Sequence, residues 1–346
     1  MLGVGDGDFA DYVAGATVLV TGAGGSIGAK LCVRLTGLGV RELVLVDQAE
    51  APLLELAAVL RDQHAFAGAE PVLADVRSAA RALDLLDRYR PDVVFHAAAY
   101  KQVPLLEAHP VEAVATNVLG TRSVVEAARR IGVQRFVLFS TDKAVQPTNV
   151  LGRTKAVAEW IVAAARQPRY TSIRLGNVAD SAGSILPLFR RQVAQGGPLT
   201  VTHPRATRYL MTGAEAAGLA VVAGALAEPN SVFWLDVGRP VRILDVARQL
   251  ATSPSGEVAI EFVGLRAGER LHEQLCRNGD PVAATACERV FRSSLPQIDP
   301  SWLQAGIAAL AHHVERASAA GVRAALAELL GAPQQESPRP AAVVAR

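Results

Sequence analysis

One glycine-rich turn between a strand and a helix constrains this chain more than any other stretch. Thr17-Val18-Leu19-Val20-Thr21 is a short β-branched run. It leads into Gly22-Ala23-Gly24-Gly25-Ser26-Ile27-Gly28 and then into a helical stretch ending near Gly37 to Gly39. A second apolar run, Glu42 to Val46, ends at Asp47. Strand, glycine turn, helix, strand and acid is the order that a dinucleotide-binding βαβ unit requires. The glycines let the backbone turn tightly and approach a pyrophosphate, and the helix N-terminus offers unpaired N–H groups to the phosphates. A glycine pattern alone is weak; the flanking strands, and an acid about 20 residues on, make this one specific.

The alternation continues. Pro71 to Ala74 reads as a strand ending at Asp75-Val76, Ala79 to Tyr89 as a helix, and Val93 to Ala97 as a strand. That strand opens into Ala97-Ala98-Ala99, small residues against which a flat ring could lie. A helix from Val111 to Ile131 carries Asn117, Arg135 to Ser140 is a fifth strand, and Lys155 to Arg166 is another helix. The expected fold class is α/β, a doubly wound parallel sheet, with ligands gathered at the carboxyl ends of its strands. Lys101 and the Ser140–Lys143 stretch fall at such ends. Residues 176–331 are less regular, with glycine- and proline-marked loops at Gly196-Gly197-Pro198, His203-Pro204-Arg205 and Gly264 to Arg270, and an amphipathic helix over Val241 to Leu250. The expected organisation is a dinucleotide-binding domain over 1–175 and a smaller C-terminal substrate-binding cap over 176–331. The cap is partly interleaved with the first domain. A disordered tail rich in Pro, Gln and Arg is expected over 332–346.

Only four of the 35 Lys and Arg residues are lysines: Lys30, Lys101, Lys143 and Lys155. A lysine can give up its proton where an arginine cannot. Three of the four stand in short motifs in the first half of the chain, Tyr100-Lys101, Ser140-Thr141-Asp142-Lys143 and Gly152-Arg153-Thr154-Lys155, read as parts of one active site. A formal net charge of +2 argues against a general nucleic-acid binder. Cys32, Cys276 and Cys287 show no pairing or metal-site spacing and suit a reducing cytoplasm, and the histidines form no ligand set, so no metal is expected. His312-His313 reads as a helix surface. The most apolar stretch, Ala216 to Ala227, is well short of the roughly 20 residues a membrane span needs. The N-terminal acids Asp6, Asp8 and Asp11 do not suit a secretory signal.

Together the motifs carry a family likeness. Thr21-Gly22-x-x-Gly25-x-x-Gly28 resembles the phosphate loop of the extended short-chain dehydrogenase/reductases, which are Rossmann folds. The stretches His96 to Pro104, Thr116 to Thr121, Ser140 to Asn149, Val201 to Pro204, Thr207 to Tyr209 and Gly264 to Glu269 resemble the polysaccharide-biosynthesis branch. Members of that branch are UDP-N-acetylglucosamine 4,6-dehydratases, some of which also invert C5. The resemblance runs from about residue 15 to 276. Many relatives carry an N-terminal membrane region; this chain resembles the soluble form, expected in the cytoplasm and as a homo-oligomer.

The resemblance implies NAD, with NADP as the alternative, and a UDP-sugar as ligands. Gly22, Gly25, Ser26, Ile27 and Gly28 would hold the pyrophosphate. Asp47 would accept the adenosine ribose hydroxyls, although it could instead cap the next helix. Asp75 and Val76 would meet the adenine. Ala97, Ala98, Ala99, Asn117 and Lys155 would lie along the nicotinamide. Lys101, Asn177, Arg208, Arg266 and Glu269 would hold the nucleotide sugar, arginine's planar fork suiting a diphosphate. In the implied reaction C4 is oxidised, the resulting ketone acidifies the C5 proton, a base removes it while an acid protonates the C6 hydroxyl, and hydride returns to C6. Asp142 would be the acid, Lys143 the C5 base, and Thr141 a hydrogen-bonding partner of the C4 oxygen. A neutral Lys143 requires a lowered pKa, from burial or from a neighbouring cation such as Lys101. As sequence neighbours, Asp142 and Lys143 could also form a plain surface ion pair, though adjacent side chains usually diverge.

Two departures stand out. Leu151 occupies the position of the usual tyrosine four residues before Lys155 and cannot accept a proton. The C4 base is then Lys143, Lys101 or a water held by Thr141; otherwise the redox step is altered, or the chain binds nucleotide sugars without turnover. Relatives also commonly carry Gly at the position of Asp180 and Arg or Asn at that of Ala182. A UDP-sugar 4-epimerase is the rival enzymatic reading; it would need no elimination pair.

Overall fold

The computed structural model describes residues 9–253, 256–277 and 279–331. The tail expected over 332–346 lies outside them. The first half alternates strands and helices. These are β1 (Thr17–Thr21), α1 (Ser26–Thr36), β2 (Glu42–Asp47), α2 (Glu50–His64), β3 (Ala69–Leu73), α3 (Ala79–Tyr89) and β4 (Val93–His96). The short α4 (Val103–Ala108) and α5 (Pro110–Val114) follow, then α6 (Thr121–Ile131), β5 (Arg135–Thr141), α7 (Val150–Ala164) and β6 (Tyr170–Leu175). The second half contributes α8 (Ile185–Ala194), α9 (Gly213–Leu226), β7 (Ser231–Leu235), α10 (Ile243–Ala251), β8 (Val282–Ala284), β9 (Val290–Ser294), α11 (Pro300–Glu315) and α12 (Ala319–Gly331).

One nine-stranded sheet runs in the order β8-β9-β7-β6-β5-β4-β1-β2-β3. It is parallel from β3 through β7, and β9 and β8 close the far edge antiparallel. The chain winds outward in both directions from β1 and β4, so the crevice beyond their carboxyl ends is where such a sheet binds ligands. Thr21 of β1 stands level with His96 of β4 there. β1 and β4 are buried along their whole length, as parallel strands covered on both faces must be.

Two apolar layers flank the sheet. On one face α1, α2 and α9 supply Leu31, Leu35, Leu53, Leu60, Leu219 and Val222. On the other, α3, α6, α7, α11 and α12 supply Leu85, Val124, Trp160, Ile307 and Leu326. The apolar run from Ala216 to Ala227, too short to span a membrane, forms most of α9. That helix is hydrophobic all round because nearly every side of it is buried. A smaller separate core of Phe189, Leu199, Val201, Ile243, Val246 and Ala247 lies in the cap. The second half therefore sends β7, β8, β9 and two covering helices back to the main sheet and keeps α8 and α10 for the cap.

Several boundaries differ from the sequence reading. The strand read from Pro71 to Ala74 runs from Ala69 to Leu73, and the one read to Ala97 ends at His96. The helix expected from Lys155 starts at Val150, because the Asn149 side chain accepts the Gly152 N–H at 2.7 Å and caps it there. The helix expected over Val241 to Leu250 begins at Ile243, since Val241 and Arg242 pair as a strand with Thr207–Arg208. The single helix read from Val111 to Ile131 is three pieces, α5, a widened π-helical turn over Ala115–Gly120, and α6. The widened turn sets Asn117 to serve the neighbouring loop, described below.

Beneath the crevice, Glu159 of α7 takes Arg174 Nε at 3.0 Å, Arg174 NH2 at 2.7 Å and Ser140 Oγ at 2.5 Å, all buried. This binds the ends of β5 and β6 to α7. Arg174→Met leaves a buried carboxylate unpaired and is expected to lose about 3–5 kcal/mol of stability. The double variant Arg174→Met/Glu159→Leu should recover a large part of that loss, read from urea unfolding midpoints.

Candidate active site

The glycine turn is held from both sides. Gly22 has φ +68°, and a Cβ on it would stand 2.6 Å from Ala98 N. A Cβ on Gly28 would stand 2.2 Å from Gly22 O, so the turn and the start of α1 close on each other only with glycine at both places. No side chain caps the N-terminus of α1, and no acid sits in its first turn. The N–H groups of Ser26, Ile27 and Gly28 therefore present a positive end suited to a diphosphate, and the loop fits a dinucleotide. Asp47, at the end of β2, accepts Gly24 N–H at 2.9 Å and Ala49 N–H at 3.0 Å. It both braces the glycine loop and turns the chain into α2. Asp75 is engaged by Arg77; burial raises its pKa, but the hydrogen bonds and charge of Arg77 outweigh this and leave it lowered. Val76 packs beside Gly120.

Ala97, Ala98 and Ala99 leave β4 half-buried. Buried Asn117 fixes the next residue. It accepts Tyr100 N–H at 2.9 Å and donates to Tyr100 O at 3.1 Å and Thr154 Oγ1 at 3.1 Å. Asn117 thus orients backbone at the site, which is why its helix is widened. His96, which sequence reasoning placed only in a strand, bridges Thr21 Oγ1 at 2.7 Å and Thr121 Oγ1 at 3.0 Å. Burial, with Lys155 nearby, lowers its pKa to about 3, so it is a neutral strut between β1, β4 and α6.

A cavity of about 310 Å³ opens over these ends, lined by Ala97, Ala99, Lys101, Thr141, Lys143, Leu151, Lys155, Asn177, Arg208, Arg266, Glu269 and Glu273 among others. It brings together three of the four lysines. Thr141 ends β5 and donates to Asp142 Oδ1 at 2.9 Å. Residues 142–144 form one tight helical turn, and there Lys143 curls back so that its Nζ meets Asp142 Oδ1 at 2.9 Å. Adjacent side chains do pair, contrary to the expected divergence, but in a buried turn and not on the surface. Asp142 is 0% exposed and its Oδ2 has no hydrogen-bond partner. It lies behind the cavity wall, whereas Thr141 and Lys143 are in it.

The other contacts of Lys143 Nζ are Asn177 Oδ1 at 3.4 Å and Glu273 Oε1 at 3.6 Å. The neighbouring cation anticipated in Lys101 is not among them. Lys101 stands exposed at the rim, its pKa lowered by partial burial. Glu273 was missed by sequence reasoning, although it follows the Gly264–Glu269 motif by one turn. Its side chain is 1% exposed and its Oε2 lacks a hydrogen bond. Burial first, and then the charge of Asp142, raise its pKa against the opposing pull of Lys143, Arg208 and Arg270. Arg270, also unforeseen, donates to Thr148 Oγ1, Val145 O and Gln146 O, stapling the segment after Lys143 to the cap. Arg208 is buried and donates to Thr207 O and Leu271 O; Arg266 is exposed, its N–H held by Glu269.

Leu151 packs with Val103, Leu106, Ala113 and Val150, and Tyr100 lies against this cluster. The Tyr100 hydroxyl is directed to Gln48. The fourth lysine, Lys30, pairs with Asp180, which also accepts the Gly213 N–H at 3.2 Å; Ser26 Oγ accepts Ala182 N–H at 3.0 Å. These contacts latch the loop after Asn177 onto α1. A larger cleft of about 640 Å³ between α1, α2 and α9 holds none of the predicted site residues. Among the described residues no group of three or more His, Cys, Asp and Glu is placed to hold a metal, and no helix is long and apolar enough to cross a membrane.

Fold and site together define an extended short-chain dehydrogenase/reductase. The family model described as polysaccharide biosynthesis protein matches residues 18–295, and the chain belongs to that family. It is 40% identical over 290 residues to the capsular polysaccharide biosynthesis protein CapD of Staphylococcus aureus, covering 81% of this chain and 48% of that one. It is 42% identical over 282 residues to the probable polysaccharide biosynthesis protein EpsC of Bacillus subtilis, covering 79% and 47%. The chain thus spans about half the length of these relatives. The X-ray structure of Pen from Bacillus thuringiensis superposes with a TM-score of 0.76 at 28% identity, over 82% of this chain and 90% of that one. More distant structures sharing the fold include an NAD complex of a UDP-glucose 4-epimerase and a dTDP-glucose 4,6-dehydratase variant with NAD bound.

Lys155 is buried, and burial, opposed by the charge of Glu159, lowers its pKa to about 8. In the unfolded chain the ammonium titrates at its ordinary 10.5. Between these values the unfolded state binds more protons, so this residue's contribution to stability rises as pH goes from about 8 to 10.5. The full increment is about 3 kcal/mol. The stability of wild type relative to Lys155→Met is expected to climb across that window, measured by denaturant unfolding in the absence of ligands.

Proposed function

We propose that this chain is an NAD-dependent nucleotide-sugar 4,6-dehydratase, a lyase acting on UDP-N-acetylglucosamine or a close relative, working in the cytoplasm and as a homo-oligomer. Residues up to about 175 hold the cofactor and 176–331 supply the cap over the sugar. The observation that carries the reading is the buried Thr141-Asp142-Lys143 turn at the end of β5, in the same cavity as Lys155 and the Ala97–Ala99 shelf. A 4-epimerase needs hydride transfer at C4 alone. A base and an acid at C5 and C6 are needed only for elimination.

NAD, when bound, supplies the hydride acceptor at C4 and the hydride donor at C6. The chain supplies the proton chemistry. Leu151 offers no proton acceptor, so the C4 hydroxyl proton passes to Thr141 Oγ1 as Thr141 hands its own to Asp142. The free, buried Oδ2 leaves Asp142 room to carry it. Lys143 removes the C5 proton. Asp142 then returns its proton through Thr141 to the departing C6 hydroxyl, which leaves as water. Lys143 gives its proton back to C5 after hydride reaches C6. The C4 proton thus balances the water, and the C5 proton is only borrowed. Lys155 would steady the nicotinamide ribose, and Asp47 would hold the adenosine ribose, favouring NAD over NADP. Asn177, Arg208, Arg266, Glu269 and Lys101 would hold the sugar and its diphosphate. The membership of the chain in the polysaccharide biosynthesis family and the latch of the cap on α1 support this reading.

Incubation with UDP-N-acetylglucosamine and NAD should give a product lighter by one water in mass spectrometry. An isomer of unchanged mass would instead establish epimerisation, and binding without change would establish a non-catalytic protein. Lys143→Arg keeps the charge but cannot serve as base; elimination is expected to fall by about 10²–10⁴-fold, while UDP-sugar binding persists.

A further inference from the structure

We propose that Glu273 is a positioning residue for Lys143, completing a carboxylate–ammonium–carboxylate clamp that sets where the amine stands and when it gives up its proton. The inference rests on the dehydratase reading for its catalytic meaning. Lys143 Nζ lies between Asp142 Oδ1 at 2.9 Å and Glu273 Oε1 at 3.6 Å. The two acids come from distant parts of the chain, the β5 turn and the cap, and both have a buried oxygen without a hydrogen bond. Glu273 reaches the cavity and Asp142 does not. A carboxylate withdrawn from water and left half-satisfied is costly, and a lone structural acid would not be placed so. Its position against the only lysine on this turn makes it a control on that lysine's charge.

Other charged groups bear on the clamp. Arg208 and Arg270 face Glu273, Arg270 NH1 lying 3.9 Å from its Oε2. Lys101, Lys155, Arg266 and Glu269 line the same cavity. All of these remain when Glu273 alone loses its charge.

Glu273→Gln keeps the size and removes the negative charge. The neutral amine of Lys143 is then easier to form, so the rising limb of the pH–rate profile should move to lower pH by about one unit or more. The rate followed is incorporation of solvent deuterium at C5 of UDP-N-acetylglucosamine in the presence of NAD. Glu273→Asp, which keeps the charge, should leave the limb near its wild-type position. A Glu273→Gln limb that stays where the wild type has it, whatever the rate, overturns the proposal. If Glu273→Gln does not fold, isotope-edited infrared titration of the Glu273 carboxyl decides the matter without turnover. In Lys143→Met its pKa should rise, since the cation that lowers it is gone, and an unmoved titration overturns the clamp. Because that measurement needs no product, it separates failure of the clamp from failure of the dehydratase reading, which wild-type product analysis tests.

Discussion

The structure of this site depends on one ammonium group held against carboxylates that have been taken out of water. An unpaired buried carboxylate is strongly unfavourable, and a cation within reach offsets that penalty only if the geometry is fixed. Here it is fixed from three directions. Thr141 orients Asp142, Asn177 approaches Lys143 from the start of the cap, and Arg270 ties the cap to the segment following Lys143. The cap is therefore more than a cover. It carries one of the acids, so a complete charge arrangement exists only when the two halves of the chain are packed together.

The parallel sheet explains why the halves meet where they do. Winding outward from β1 and β4 leaves a crevice at their carboxyl ends, and every element crossing it delivers a loop there. The short strand Asn177–Val178 pairs with Leu210–Met211, which places Asn177 over the end of β5. The Thr207–Arg208 strand pairs with Val241–Arg242 and holds Arg208 in the cavity wall. These ribbons are only two residues long, too short to stand alone, and they exist because the cap core and the main sheet hold their ends.

Much of the first half was legible in the sequence because local periodicity and turn chemistry agree with the final packing. Thr17–Thr21 and Ala79–Tyr89 are strand and helix by pattern and in fact. The π-helical turn at Ala115–Gly120 was not legible. Its apolar spacing continues a helix, and the demand that widens it comes from Tyr100 and Thr154, which lie far away in sequence. Glu273 and Arg270 escaped for a similar reason, since their partners at Asp142 to Thr148 belong to another domain-scale element. Scarcity of lysine pointed correctly to one cavity for Lys101, Lys143 and Lys155, but it said nothing of Lys30, whose partner Asp180 stands where relatives commonly have glycine. That pairing shows the departure at Asp180 to be structural: a carboxylate there joins α1 to the N-terminus of α9.

The same logic accounts for Leu151. A tyrosine there would bring a hydroxyl into a pocket built by Val103, Leu106, Ala113 and Val150, all apolar. Leucine instead seals that wall, and sealing has an electrostatic consequence. Lys155, one turn along α7, has Glu159 as its nearest named counter-charge, and that acid is already committed to Arg174 and Ser140. With water kept out and little compensating charge, the ammonium of Lys155 is destabilised, as its lowered pKa of about 8 records. Loss of the tyrosine thus moves the proton chemistry of this face away from a phenol. It passes to the hydroxyl–carboxylate pair of Thr141 and Asp142, which stands ready at the end of the neighbouring strand.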